Sequence, residues 1–298
     1  CSGLPAGRPD LRLAEPADSI GGLSMRGKKV LFILSLTVLV LFLLVGVFAE
    51  FLAPCDPNAV DMANGLAAPS TEHWLGTDHI GRDLLSRLIY GSRSSVFIAF
   101  FATGCTLLLG MTIGLVSGYL GGWIDQLIQA VVNIFQGIPS AAFVVAILGL
   151  LGPGMRSLLI AIVVSSWAGF SRIVRNQVLE IRELHYIEGA RAMGGGSFYI
   201  MRLHILPNIL LPLLVLIATR IGSTVLTVAA MSYLGLGLRA PAADWGIMIN
   251  DAKLYYVKDF LVLLAPAACL TLFCLSINLI ADYLRDCLDH DDGAARML

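Results

Sequence analysis

The residues able to do more than fill space are few and clustered. Residues 183–208, ELHYIEGARAMGGGSFYIMRLHILPN, hold the densest pattern. A short helix is predicted over 183–193. It carries the small residues Gly189, Ala190 and Ala192 among Glu183, Glu188 and Arg191, and Gly194-Gly195-Gly196 ends it, because glycine favours helix termini. Ser197, a good N-cap, opens a second helix that runs toward Pro207. A small-residue face lets a partner's groove come close, so the chemistry implied is docking through a helix–turn–helix elbow. Arg220 is the second candidate. A charge within an apolar run costs several kcal/mol in lipid, so Arg220 is expected to face a protein interior, a water-filled pathway or an interface, and no acidic residue within the runs offers itself as partner. His73 and His79 are of a type that suits nickel, but their spacing is not i, i+4 and no third ligand is evident. They are read as loop structure, and no metal site is assigned. His185 and His204 lie in or beside the elbow, and His290 in the tail. The chain has no GxxxxGK[ST] phosphate loop and no nucleophile–base pair, so no catalytic residue is assigned.

The elements that must position these residues follow from composition. Of 298 residues 57% are hydrophobic and 14% charged, against about 25% charged in a soluble domain. Disorder is excluded and a soluble enzyme disfavoured. Net charge is −1, which argues against a nucleic-acid partner. Six cysteines show no CxxC pair and no disulfide framework. A spanning helix needs about 20 mostly apolar residues. Runs at 30–49, 94–124, 126–155, 203–238 and 260–281 qualify, and a shorter one at 157–171, expected to extend toward Arg175, makes six. The chain is therefore expected to be an all-α integral membrane protein of six transmembrane helices, with lipid as its solvent. The first run exceeds a signal-peptide core of about 7–15 residues and no cleavage site follows, so it is read as retained.

Basic residues set the orientation. Five precede Val30 (Arg8, Arg12, Arg26, Lys28, Lys29), and five lie between the fourth and fifth runs (Arg172, Arg175, Arg182, Arg191, Arg202). Both termini and the elbow are then cytoplasmic. Residues 1–24 are polar and rich in Pro and Gly, and read as a disordered tail or upstream extension ahead of Met25. The division expected is a cytoplasmic tail (1–29), a first helix with an external segment (30–91), a five-helix core (92–283) whose coupling loop is 183–203, and a cytoplasmic tail (284–298). Gly110, Gly114 and Gly118 recur every four residues on one helical face, where small residues let backbones approach. Pro139, Pro207 and Pro212 mark kinks tolerated in membranes when neighbours compensate.

The spacing around the elbow adds a resemblance. Glu188-Gly189-Ala190, Gly194 and Pro207 resemble the EAA loop of ABC-importer permeases, with Gly189 where alanine is usual. His73-Trp74-Leu75-Gly76-Thr77-Asp78, Ser232 to Gly237, Asp244-Trp245-Gly246 and Asp282 to Asp286 resemble further segments of the peptide/nickel permease family, and its second permease in particular. The resemblance covers nearly the whole chain after Met25. It implies a type I ABC-importer permease fold in a bacterial or archaeal inner membrane, with residues 183–203 as the coupling helix region seated in an ATPase. It implies four kinds of partner: a homologous permease, two ATPase subunits that use ATP and Mg, an extracytoplasmic binding protein, and membrane lipid. Trp74, Asp78, Asp244 and Trp245 would face the binding protein, Glu188 to Ala192 with Gly194 and Pro207 the ATPase, and this chain would bind no cofactor. Val228 to Ser232 and Trp245 to Ala252 look closer to the nickel or metal-chelate type, with a dipeptide or oligopeptide importer as the alternative. A passive channel or secondary transporter would leave residues 183–208 unexplained, and an intramembrane enzyme would need a catalytic pair within the runs, where only Arg220 is charged. Bulky replacement at Gly189 or Ala190 is expected to uncouple transport while leaving the chain in the membrane.

Overall fold

A computed structural model describes residues 25–295, with side chains placed for 26–288. The expectation of a disordered tail at 1–24, together with Arg296 and the side chain of His290, lies outside the described residues. Helix α1 (Met25–Val47) is followed by the short α2 (Ala49–Leu52). A turn-rich segment then leads to α3 (Leu84–Leu120). Helices α4 (Gly122–Gly137) and α5 (Ser140–Leu151) precede α6 (Met155–Arg182). The elbow contains α7 (His185–Ala192) and α8 (Ser197–Ile200). A π-helical turn (Met201–Ile205) carries α8 into α9 (Leu206–Tyr233), and α10 (Trp245–Ala252) and α11 (Leu261–Ala295) complete the described chain.

Five stretches are long and apolar enough to cross a membrane: Arg26–Val47, Leu84–Leu120, Met155–Arg182, Ser197–Tyr233 and Leu261–Leu288. The sixth crossing is the pair α4 and α5, broken by an 85° bend. Chain direction shows that the pair traverses the bundle. Helix α4 starts where α3 ends, at a turn that needs the positive φ of Gly121. Helix α5 ends near Pro153, whose carbonyl accepts from Arg239 Nε at 2.7 Å, beyond the far end of α9. The elbow therefore sits at one end of the bundle and the segments 53–83 and 234–260 at the other. Lys28 and Asp286, 3.1 Å apart, join the starting end of α1 to the late turns of α11 at the elbow end.

Helix boundaries depart from the hydropathy runs in four places. The run at 126–155 is split at Ile138 and Pro139, since a proline removes a donor and its predecessor is pushed to extended backbone. Helix α6 extends eleven residues past the apolar run, to Arg182, and so takes Arg172, Arg175 and Arg182 out of the loop. Helix α3 begins at Leu84 and runs unbroken across the expected 91–92 boundary. Its first turn is capped by Asp83, whose side chain accepts from Ser86 N. At the elbow the N-cap is Gly196, not Ser197, and Pro207 does not end a helix. The wider register of the π turn makes room for a ring that would strike the i−4 carbonyl in an α-helix.

The most extensive helix contact joins α3 to α6. It runs along Gly110, Gly114 and Gly118, which lie against Phe170, Ser171, Val174 and Val178. A Cβ at Gly114 would stand 2.6 Å from the Ser171 carbonyl oxygen and 2.7 Å from Val174 Cβ, so the backbones approach as only glycine permits. Elsewhere large apolar side chains such as Leu34, Leu41, Phe101, Leu108 and Leu150 point outward, the normal arrangement where lipid is the solvent. Near the elbow end, the Arg175 guanidinium forks onto Asp125, with Nε to Oδ1 and Nη2 to Oδ2 both at 2.6 Å. Ser117 Oγ donates to Asp125 Oδ1 at 2.5 Å, so α3, α4 and α6 are tied at one point.

Gly114→Leu is expected to destabilise the bundle by about 1–3 kcal/mol through overpacking, read as a lowered midpoint of thermal unfolding in detergent. Gly104, where a Cβ would meet nothing within 4 Å, takes Ala without that loss.

Candidate functional site: a basic cavity, an elbow and the scaffold between them

At the end opposite the elbow, three of the four residues expected to face a binding protein are turned inward. Trp245 is 0% exposed. Its indole Nε1 donates to the Leu88 carbonyl at 3.1 Å, and its ring lies so close to Gly91 that a Cβ there would stand 2.6 Å away. Asp244 is equally buried. Its Oδ1 accepts from the amides of Gly246 and Ile247 and caps α10, while Ser95 Oγ donates to Oδ2 at 2.8 Å. Burial pushes the Asp244 carboxyl up from the usual carboxylate range, and the Ser95 hydroxyl and the two amides oppose that rise. Asp78 is buried too, gripped by Arg82 Nε at 2.6 Å, and Arg82 reaches on to Asp251 at 3.2 Å. Only Trp74 of the four expected residues is open to solvent, at 65%. Motif residues at this end hold the loops onto α3 and α9. The reason is physical: an aspartate beside a helix start and a tryptophan with one N–H are as well suited to capping and core filling as to contact with a partner.

Between the ends lies a cavity of about 660 Å³. The 85° break at Ile138 and Pro139 opens it, and α3, α6 and α9 close its sides. Its polar lining includes Gln136, Ser165 and Ser166, with Thr103 Oγ1 donating to Thr224 Oγ1 at 3.2 Å. Arg220 points into it. A guanidinium nitrogen and the Gln136 amide nitrogen each lie 3.9 Å from where a Gly169 Cβ would be. No acidic residue lines the cavity, and among the described residues no side chain pairs with the Arg220 guanidinium. Hydropathy alone hides this wall, although a signal is present. Arg220, Ser223, Thr224 and Thr227 follow the i, i+3, i+4, i+7 pattern of one helical face, and all four line the cavity.

At the other end the elbow projects beyond the long helices. Arg182 at the end of α6 donates to the Gly118 carbonyl at 2.8 Å, and Arg191 stands 5.2 Å from the Tyr119 ring centroid. Glu188, Gly189, Arg191, Ala192 and Gly194 are exposed. Ala190 is not. It packs with Ile187, Ile200 and Ile205, and its carbonyl accepts from Gly195 N at 3.0 Å. Ala190 therefore supports the elbow from within, and the outward small surface is formed by Gly189 and Ala192. Around them the elbow bares large apolar side chains, including Tyr186, Met193 at 86% and Phe198 at 72%. Sequence reasoning misses these three, because a polar-looking loop gives no reason to treat its few apolar members as a surface.

A bundle built to hold a polar cavity inside an apolar shell, with an exposed apolar-and-small elbow at one end, has the anatomy of a membrane transport subunit driven from outside itself. The chain belongs to the binding-protein-dependent transport system inner membrane component family, which it matches over residues 110–290. It is 38% identical to the dipeptide transport system permease protein DppC of Alkalihalophilus pseudofirmus over 88% of this chain and 86% of that one. It is 37% identical to the nickel transport system permease protein NikC of Escherichia coli over 86% and 92%, respectively. The glutathione transport system permease protein GsiD of Pectobacterium atrosepticum is 35% identical over 84% of this chain and 83% of its own length. The fold matches that of the inward-facing MetNI methionine ABC transporter with a TM-score of 0.57 at 21% identity, covering 68% of this chain and 97% of that one. The protein is thus an ABC-importer permease subunit with the type I fold. It has no ATPase site of its own, and ATP hydrolysis belongs to a partner.

Asp244→Ala is expected to lower stability by about 2 kcal/mol, combining a lost N-cap with buried donors left unsatisfied. Asp244→Asn, which keeps an acceptor for both amides, recovers most of that loss in the same thermal measurement.

Proposed function

We propose that this chain forms half of a translocation pathway with a homologous permease and passes a small solute bearing a carboxylate or other anionic group. Both termini and the elbow face the cytoplasm, as the distribution of basic residues favours. Two ATPase subunits, fuelled by ATP and Mg, seat against the elbows, and an extracytoplasmic binding protein delivers the solute at the opposite end, where Trp74 is an exposed aromatic. Closure of the ATPases moves α7, and α6 carries that movement to the cavity wall by rigid-body displacement.

The observation that carries the substrate reading is Arg220, unpaired in a hydroxyl- and amide-lined cavity without a carboxylate. A bare nickel ion would find no imidazole, thiolate or carboxylate there, and those are the groups that hold it. An anionic nickel chelate and a short peptide with its terminal carboxylate both satisfy the guanidinium. The relatives named for nickel, dipeptide and glutathione transport are consistent with such a solute.

Reconstituted with its partners, the transporter is expected to take up labelled dipeptide or labelled nickel chelate and to lose uptake about 10- to 100-fold in Arg220→Gln, the equivalent of a charge-assisted hydrogen bond. Uptake of uncomplexed nickel that is indifferent to Arg220→Gln would overturn this assignment. Coupling is tested at Gly189, which has nothing within 4 Å of a Cβ position. Gly189→Ala is expected to add roughly 0.5–1 kcal/mol of helix stability and to keep transport. Gly189→Trp keeps the fold but abolishes solute-stimulated ATP hydrolysis. The buried Ala190 is unsuitable for that comparison, because a bulky side chain there would disrupt the elbow itself.

A further inference from the structure

Three chemically reactive side chains meet at the end of the bundle opposite the elbow, and the importer reading uses none of them. Cys55 follows α2, His73 lies in the turn-rich segment and Asp83 caps α3. One ligand atom from each lies within 4.8 Å of the other two. His73 Nδ1 is 3.0 Å from Asp83 Oδ1. Asp83 Oδ2 is occupied by Ser86 N at 2.7 Å, which fixes the carboxylate and leaves Oδ1 turned to the imidazole. Ser86 also accepts from Cys55 N through its hydroxyl at 3.1 Å, so the cysteine and the carboxylate are anchored to the same turn. His73 is held by its own amide, which donates to Ser70 Oγ at 3.0 Å, and its carbonyl accepts from Gly76 N at 2.9 Å. Each ligand thus has a backbone or side chain fixed by a second contact, the support a metal site needs.

We infer that Cys55, His73 and Asp83 form a binding site for a divalent transition-metal ion of the zinc type, which staples the segment after α2 to the start of α3. The donor set is one sulfur, one nitrogen and one oxygen, the combination that suits zinc, cobalt or nickel and not the hard ions magnesium and calcium. In a tetrahedral site the ligand atoms stand about 3.3–3.6 Å apart, so the His73–Asp83 pair at 3.0 Å opens slightly, and separations of up to 4.8 Å contract by roughly 1–1.5 Å around an ion. Asp83 is buried, while Cys55 and His73 are partly exposed, so an ion reaches the site from solvent and water completes the fourth position. The site is separate from the cavity. Thr103, which lines the cavity, lies twenty residues along the chain from Asp83, or about 30 Å of helix. The ion is therefore a resident of the scaffold and not cargo in transit.

The test uses the complete transporter in detergent, reduced and stripped with chelator, then titrated with Co²⁺ and displaced with Zn²⁺. One Co²⁺ per copy of this chain is expected, with thiolate-to-cobalt charge-transfer absorption that vanishes on adding Zn²⁺. Cys55→Ser should abolish that absorption, and His73→Ala should weaken Zn²⁺ binding at least 30-fold. Zn²⁺ should raise the unfolding midpoint of the wild type and of neither variant. Absence of the charge-transfer signal in a folded wild-type complex would overturn the site, as would equal Zn²⁺ affinity in wild type and both variants. Unfolding of the metal-free variants is followed in parallel, so that a loss of binding is read only on protein that retains its fold.

Discussion

The close approach of α3 and α6 is the contact on which the rest of the structure depends. In lipid there is no hydrophobic drive to bring two apolar helices together, and van der Waals packing must supply it. Gly110, Gly114 and Gly118 remove three side chains from one face of α3, and the backbone and β-branched side chains of α6 fill the space. That seam runs from the cavity region, at Gly110 beside Phe170, to the elbow end, where Gly118 lies against Val178 and its carbonyl takes Arg182. Helix α6 runs without a break from the cavity wall to the elbow end.

The charges are placed by the same constraint. Within and beside the bundle most ions are satisfied locally: Asp125 by Arg175, Asp78 and Asp251 by Arg82. Pairing offsets part of the cost of holding a charge away from water. Arg220 is an exception among the described residues. It lies in a cavity lined by hydroxyls and amides and by no carboxylate. The contrast sets Arg220 apart from the ion pairs that hold the architecture, and the proposed pathway rests on it.

Much of this is legible in the sequence, and the misreadings have physical causes. The count of six apolar runs, the fourth of them short, is read directly from the sequence. The position of the elbow follows from its glycines and small residues. The break between α4 and α5 is not legible, because Pro139 is compatible with a kink, a broken helix or a re-entrant turn, and only the packing of α3, α6 and α9 around the gap selects an 85° bend. Asp125 reads as an interruption between runs and is in fact a clasp, since Arg175 lies fifty residues away and their meeting depends on the α3–α6 seam. Asp244 and Trp245 read as surface-contact residues. A motif specifies residue identity but not direction, and their hydrogen bonds to Ile247, Ser95 and Leu88 face inward.

By itself the sequence determined that this protein lives in lipid, roughly where its helices lie, and which short stretch departs from a simple bundle. These are local properties: apolar runs, glycine and proline positions, and the i, i+4 spacing of small residues depend on neighbours along one helix. Tertiary structure decided which way the exceptional residues point. It turned Ala190 inward and Gly189 outward, set Arg220 in a cavity that holds Gln136 and no acid, and brought Cys55, His73 and Asp83 together from distant points of the segment 53–83. Such placements depend on how helices and the folded segments between them pack together, and that is set by the summed packing of many side chains.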